Sequence, residues 1–193
     1  SLGEYSALSA AGVFDPETAI QVVRERGLAM EKAAEGVESA MMAILGLERE
    51  PLLDICVGCD GYVSIANYNC PGQLVIAGEK KAVEEAGQKA LDHGARRAVP
   101  LNTSGPFHTK LLKDASTRLH EVFKDMTFHE MNVPVIFNCT GKELEDCSVQ
   151  DMLEKQVMSP VYFEDSIRTM INNGVDTIIE IGPGKVLSGF VRK

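Results

Sequence analysis

The stretch SLGEYSALSAAGVF places Ser1 two residues before Gly3 and directly ahead of an Ala/Leu-rich run of helical character. A serine so placed can attack a carbonyl carbon. In a nucleophile elbow a strand turns sharply into a helix, glycines permit the crowding, and the serine sits at the apex. The backbone N–H of the next residue, here Leu2, then points at the developing oxyanion, and the helix N-terminus adds favourable partial charge. On this reading Ser1-Leu2-Gly3 is the downstream half of a Gly-x-Ser-x-Gly elbow whose upstream half is not in the sequence. Two other readings stand beside it: a surface serine, or an N-terminal nucleophile with its own amine as base. The last predicts a leading strand, whereas EYSALSAAG reads as helix.

A serine nucleophile needs a base, and four histidines are present. His93 lies beside the helix-ending Gly94 and reads as a surface C-cap. His120 falls in mid-helix and His129 in a polar connection. His108 sits in NTSGPFHTK, a Ser/Gly/Pro-punctuated loop that ends as a helix begins, and such loops on a rigid scaffold suit catalysis. A plain loop histidine is the other reading. A hydrolase triad in the order Ser, acid, His would draw on Asp60 or Asp92, both at turn-like or helix-end positions. Arg26 lies three residues after Val23 and four before Met30, close to the apolar face of its helix. A surface arginine paired with a Glu of the same helix is its plainer reading. Cys56 and Cys59 form a CxxC, but no second CxxC or His pair completes a zinc set, and LLDICVGC reads as an apolar helix stripe.

The elements that must carry these residues fall into two patterns. DPET gives an N-cap Asp15 and Pro16 at the first helical turn, opening a helix with Ile20, Val23 and Met30 at helical spacing that ends near Gly36. MMAILGL, YVSIAN, QLVIAG and ARRAVPL read as strands, with helices at EPLLDICVG and EKKAVEEAGQKALDHG. That order, βαββαβ, predicts a ferredoxin-like subdomain over residues 37–104. The remainder, residues 1–36 and 105–193, alternates helices with the strands VPVIFN and VDTIIEIG, the latter nearly continuous in apolar residues as a strand buried on both faces is. The expected fold is therefore α/β: a parallel-sheet body with an inserted ferredoxin-like lobe, and a ligand cleft where the two meet.

Taken together, SLGEYSAL, RERGLAM, NYNCPGQ, GPFH and EIGPGKVL, in this order and across the whole chain, resemble the malonyl-CoA:acyl carrier protein transacylases. The acyltransferase domains of polyketide and fatty acid synthases are similar. The resemblance implies a hydrolase-like body and an upstream segment, absent here, that carries the second oxyanion donor. It implies malonyl transfer from coenzyme A to acyl carrier protein through a malonyl-serine. Ser1 is then the nucleophile, His108 its base, and Gln156 the residue whose backbone carbonyl orients the histidine. Arg26 pairs with the malonyl carboxylate, Met30 and Phe107 line the acyl pocket, and Asn67, Asn69 and Gln73 border the cleft. The Phe of the PFH sequence excludes branched acyl groups. Arg96 and Arg97 fall where basic residues meet the acidic carrier protein. No metal or redox cofactor is implied, and a cytoplasmic monomer is expected.

The bulk numbers agree with such a role. Among 193 residues, 45% are hydrophobic and 24% charged, the balance of a globular protein. The net charge of −9 argues against a nucleic-acid partner. No run approaches the ~20 apolar residues that a membrane span requires. Five scattered cysteines, an odd number, fit reduced thiols in a cytosolic setting. Beside the transferase stand a serine hydrolase or thioesterase of α/β type, and a non-catalytic module that retains the fold.

Overall fold

The computed structural model describes residues 1–193. The chain runs α1 (Leu2–Ala10), α2 (Pro16–Ala34), β1 (Ser39–Leu45), α3 (Arg49–Val57), β2 (Val63–Cys70), β3 (Gln73–Glu79), α4 (Lys80–Asp92) and β4 (Arg97–Leu101). A 3-10 turn (Lys110–Leu112) leads into α5 (Lys113–Phe123). Then follow α6 (Val149–Gln156), β5 (Val161–Tyr162), α7 (Phe163–Asn172) and α8 (Val186–Val191).

The expected βαββαβ unit is present. Its strands form a sheet in the order β4-β1-β3-β2, antiparallel throughout, and β5 extends it by pairing parallel to β2 at Asn67 and Tyr68. α3 and α4 cover one face and bury Ile44, Leu52, Ile55, Val63, Ile65, Leu74, Ile76 and Val83. The other face carries smaller apolar residues, Met41, Ala66, Val75 and Ala77, against which Phe107 packs. This alternation is what a period-two strand gives when each face meets a different partner.

The second core lies among α1, α2, α5 and α6. Tyr5, Leu8, Val13, Phe14, Val22, Leu119, Phe137 and Leu153 are its larger members. Asp15 caps α2, its Oδ1 accepting the Thr18 N–H at 2.9 Å, with Pro16 at the first position as expected. Gly12 stops α1 with φ +84°, a left-handed conformation that costs glycine little.

Three expectations change. The buried stripe of α2 is Ala19, Val22, Arg26, Ala29 and Met30, while Ile20 is 71% exposed. Reading by side-chain size put the face one residue off; two alanines occupy it instead. The predicted strands at 133–138 and 175–182 are not strands in this chain. Residues 133–138 contribute one isolated bridge, Phe137 to Lys142, and Val135 and Phe137 are buried by helices. In 175–182, Ile179 and Ile181 are 78% and 94% exposed. A strand exists only where neighbours take its N–H and C=O groups along its length; 133–138 meets Lys142 and Tyr162 only at its end, and 175–182 pairs with no strand.

The two cores are tied together. Arg49 on α3 reaches Asp165 and Glu164 on α7 at 2.9 and 3.0 Å, and its guanidinium lies over the Tyr68 ring, which stacks on Tyr162 at 4.8 Å. Near the His108 loop, the Lys110 N–H donates to the Tyr62 hydroxyl at 3.3 Å.

Candidate active site

Ser1 stands at the N-cap of α1, where the Leu2 N–H is not spent on an intrahelical bond, while the Glu4 N–H donates to the Ser1 carbonyl at 3.3 Å. Leu2 itself is half exposed. Three segments converge on Ser1. From α2, Arg26 Nη2 donates to Ser1 Oγ at 2.9 Å. From the end of α6, Gln156 Nε2 donates to the Ser1 carbonyl at 3.0 Å. From the loop before the 3-10 turn comes His108, whose Nδ1 lies 3.1 Å from the Gln156 carbonyl. Since a carbonyl only accepts, Nδ1 carries the proton, which leaves Nε2 as a free acceptor.

His108 is held in an uncommon backbone conformation, φ +62°, the single non-glycine residue with positive φ. Its loop is fixed by Thr109 Oγ1, which donates to the Pro106 carbonyl at 2.7 Å. The imidazole is buried, 6% exposed. Burial, reinforced by the positive charge of Arg26, pushes its pKa down to about 4, against the opposing pull of the Gln156 carbonyl. It is neutral at physiological pH.

Arg26 is also buried, and burial lowers its pKa, with Tyr5 and Glu4 opposing. Its guanidinium lies 5.5 Å from the Tyr5 ring centre. Its Nε–H has no partner in the chain. Arg26 thus presents an unsatisfied guanidinium beside Ser1 Oγ, the arrangement an incoming carboxylate would complete.

Met30 is buried one turn beyond Arg26 on the same helix face. Phe107 bridges the body core and the small-residue face of the sheet. Asn67 and Asn69 lie half-buried on β2, and no hydrogen bond joins them to Ser1, Arg26, His108 or Gln156. Gln73 accepts from Lys193 Nζ at 2.9 Å. Arg96 and Arg97 are exposed at the start of β4, which β1 and β3 separate from β2.

The other candidates stand apart from the site. His93 Nδ1 meets the Lys89 carbonyl at the end of α4, and His120 pairs with Glu154 at the surface. His129 is exposed, and Cys56 packs in the lobe core. Neither acid offered for a hydrolase triad reaches His108: Asp92 accepts from Gln88 on its own helix, and the Asp60 N–H donates to Glu85. The orienting position on Nδ1 belongs to the Gln156 carbonyl.

Sequence reasoning missed Glu4. It is 4% exposed on α1, and its Oε2 accepts the Asn138 N–H at 2.5 Å. Burial pushes its pKa up to about 7, against the Asn138 N–H, the Gln156 side chain and Arg26. The signal was in the spacing, since Glu4 shares a helix face with Leu8 and Ala11, both fully buried.

The sequence profile of the family described as acyl transferase domain matches residues 1–193. The malonyl CoA-acyl carrier protein transacylase of Bacillus subtilis (strain 168) is 48% identical over the whole chain, and that of Staphylococcus aureus (strain MSSA476) is 39% identical. The chain spans 62% and 64% of their lengths, respectively. A crystal structure of an acyl-carrier-protein S-malonyltransferase from Burkholderia pseudomallei 1710b superposes with a TM-score of 0.96 at 38% identity, covering all of this chain and 64% of that one. A malonyl-transacylase in complex with its type II PKS acyl-carrier protein gives 0.94 at 38% identity, over 98% of this chain and 62% of that one. With a profile match over every residue and relatives that agree in sequence and in fold, the chain belongs to the acyl transferase domain family.

Proposed function

We propose that the protein transfers a malonyl group from coenzyme A to the phosphopantetheine thiol of an acyl carrier protein, through a malonyl ester on Ser1. The observation that carries this reading is the buried Arg26 guanidinium, which meets Ser1 Oγ at 2.9 Å with its Nε–H unpartnered. The names of the relatives point the same way.

In the first half-reaction the malonyl carboxylate takes the guanidinium, freeing Ser1 Oγ. His108 Nε2 accepts the hydroxyl proton as Oγ bonds to the thioester carbon. The Leu2 N–H, at the head of α1, donates to the resulting oxyanion. The C–S bond then breaks, and the proton on His108 passes to the departing coenzyme A thiol. In the second half the carrier-protein thiol gives its proton to His108 and attacks the ester carbon, and Ser1 leaves with that proton. The Gln156 carbonyl fixes the tautomer without adding negative charge, so it stabilises the imidazolium less than an aspartate would. A thiolate is a good leaving group, and the weaker base suffices.

Met30 and Phe107 line the acyl pocket, with Asn67 and Asn69 bordering its approach. Arg96 and Arg97 receive the acidic carrier protein at the exposed β4 edge. The chemistry calls for no metal or redox cofactor. Such an enzyme supplies malonyl units to fatty acid or polyketide synthesis, and five free cysteines fit a cytoplasmic setting. No helix is long and apolar enough to cross a membrane.

Steady-state kinetics with malonyl-CoA and holo acyl carrier protein test the reading. Parallel double-reciprocal lines and malonyl-carrier product are expected. Release of free malonate at the same rate with and without the carrier would favour a hydrolase.

A further inference from the structure

Ser1, His108 and Gln156 belong to three different elements, and their relative placement must be held by something beneath them. Glu4 lies there, one turn along α1 from Ser1 and 4% exposed. Its Oε2 accepts the Asn138 N–H. The Asn138 carbonyl in turn accepts the Tyr162 N–H at 2.8 Å, and Tyr162 pairs with Tyr68 of β2. Glu4 therefore anchors the nucleophile helix to the segment that joins the sheet. Its second oxygen, Oε1, is buried without a hydrogen-bond partner. The Gln156 side chain lies close enough to lower the acid's pKa, and its own Oε1 is buried unpartnered as well. Gln156 is the residue that holds Ser1 with its amide and His108 with its carbonyl.

An isolated buried carboxyl is costly, and neither packing nor a salt bridge accounts for this one. A leucine of similar size would fill the space on the face shared with Leu8 and Ala11. What leucine could not do is accept the Asn138 N–H and face the Gln156 amide.

We propose that Glu4 is a positioning residue for the acyl-transfer site, acting through Asn138 and Gln156 to set His108 against Ser1. The proposal rests on the serine-nucleophile reading, and it makes Glu4 neither acid nor base toward substrate. The ionised carboxyl accepts the Asn138 N–H and sets a negative charge beside the Gln156 amide; protonation removes that charge. The charged and titratable groups facing it are Arg26 from α2, Tyr5 from α1, and Cys139 beside Asn138.

The test uses the full-length protein and labelling of Ser1 by a fluorophosphonate, which reports serine activation without any malonyl substrate. Glu4→Ala should slow labelling by about 10- to 100-fold, the scale on which a small misplacement of reacting groups acts. Glu4→Gln keeps an acceptor for the Asn138 N–H and should retain most of the rate. The wild-type rate should rise as pH passes through about 7, and Glu4→Gln should lose that rise. In malonyl transfer the loss should fall on kcat, with KM for malonyl-CoA little changed. If Glu4→Ala does not fold, the pH profile of Glu4→Gln decides alone. Equal labelling of Glu4→Ala and wild type, or an unchanged pH limb in Glu4→Gln, overturns the proposal. If the labelling effects appear but malonyl-CoA does not load Ser1, malonyl transfer falls and the role of Glu4 stands. A wild-type Ser1 inert to the reagent overturns both.

Discussion

Nδ1 of His108 donates to the backbone carbonyl of Gln156 at 3.1 Å, so the site orients its histidine with a main-chain group and not with a carboxylate. The same residue reaches Ser1 through its side-chain amide. One fully buried glutamine at the end of α6 therefore sets both the tautomer of His108 and the position of the Ser1 backbone. A main-chain orienter cannot be deleted by substitution, and it adds no charge to the pocket where a malonyl carboxylate is proposed to bind.

Arg26 is proposed to select the acyl group. Replacing it with alanine in the full-length protein should lower kcat/KM for malonyl-CoA by about 100- to 1,000-fold, the range for truncating one partner of a buried charged pair. Lysine keeps the charge but loses the planar fork and should recover only part of the loss. Acetyl-CoA, which brings no carboxylate, should become the relatively better substrate. An unchanged malonyl-to-acetyl ratio in Arg26→Ala would show that the guanidinium does not read the carboxylate.

His108 and Glu4 give the protein opposing pH dependences. The folded pKa of His108 is depressed from 6.5 to about 4, so the unfolded chain binds the extra proton between those values and stability rises with pH there. The folded pKa of Glu4 is raised from 4.5 to about 7, so the folded chain binds the extra proton and stability falls with pH across that window. Between about pH 4.5 and 6.5 the two nearly cancel. Denaturant unfolding of Glu4→Gln should therefore expose a rise of about 1.4 kcal/mol per pH unit in that range, and His108→Asn a fall of similar size. Equal slopes in the two variants would mean that these groups do not titrate as their burial dictates.

Phe107 is the residue to change for acyl breadth. It packs between the body core and the small-residue face formed by Met41, Ala66, Val75 and Ala77. Phe107→Ser should open that space and raise kcat/KM for methylmalonyl-CoA relative to malonyl-CoA, while leaving the Arg26 contact intact. Competition between the two thioesters measures it. A ratio equal to wild type would place the branch-excluding wall elsewhere.

How much of this was legible in the sequence depended on the kind of signal. The βαββαβ lobe was readable because each strand finds its partner within 37–104, and period-two patterning then predicts both faces. VDTIIEIG carried an equally strong strand pattern, yet Ile179 and Ile181 stand exposed, because pattern records a preference for a sheet without supplying its neighbours. Asp15 and Pro16 announced the start of their helix through local chemistry alone. The site was legible only in part. Ser1 and His108 could be singled out by their settings, but Arg26 on its own looked like a surface residue, and the role of a backbone carbonyl leaves no mark on the identity of Gln156. Glu4 escaped because an acid in the first turn of a helix has an ordinary reading, favourable to the dipole, that hides its burial.

The measurement closest to the central claim is the intact mass of the full-length protein after brief exposure to malonyl-CoA without a carrier protein, followed by peptide mapping. The account predicts a stable mass increase of one malonyl group, located on Ser1, absent in Ser1→Ala and discharged on addition of holo acyl carrier protein. A malonyl group on another residue, or transfer that proceeds undiminished in Ser1→Ala, would contradict it.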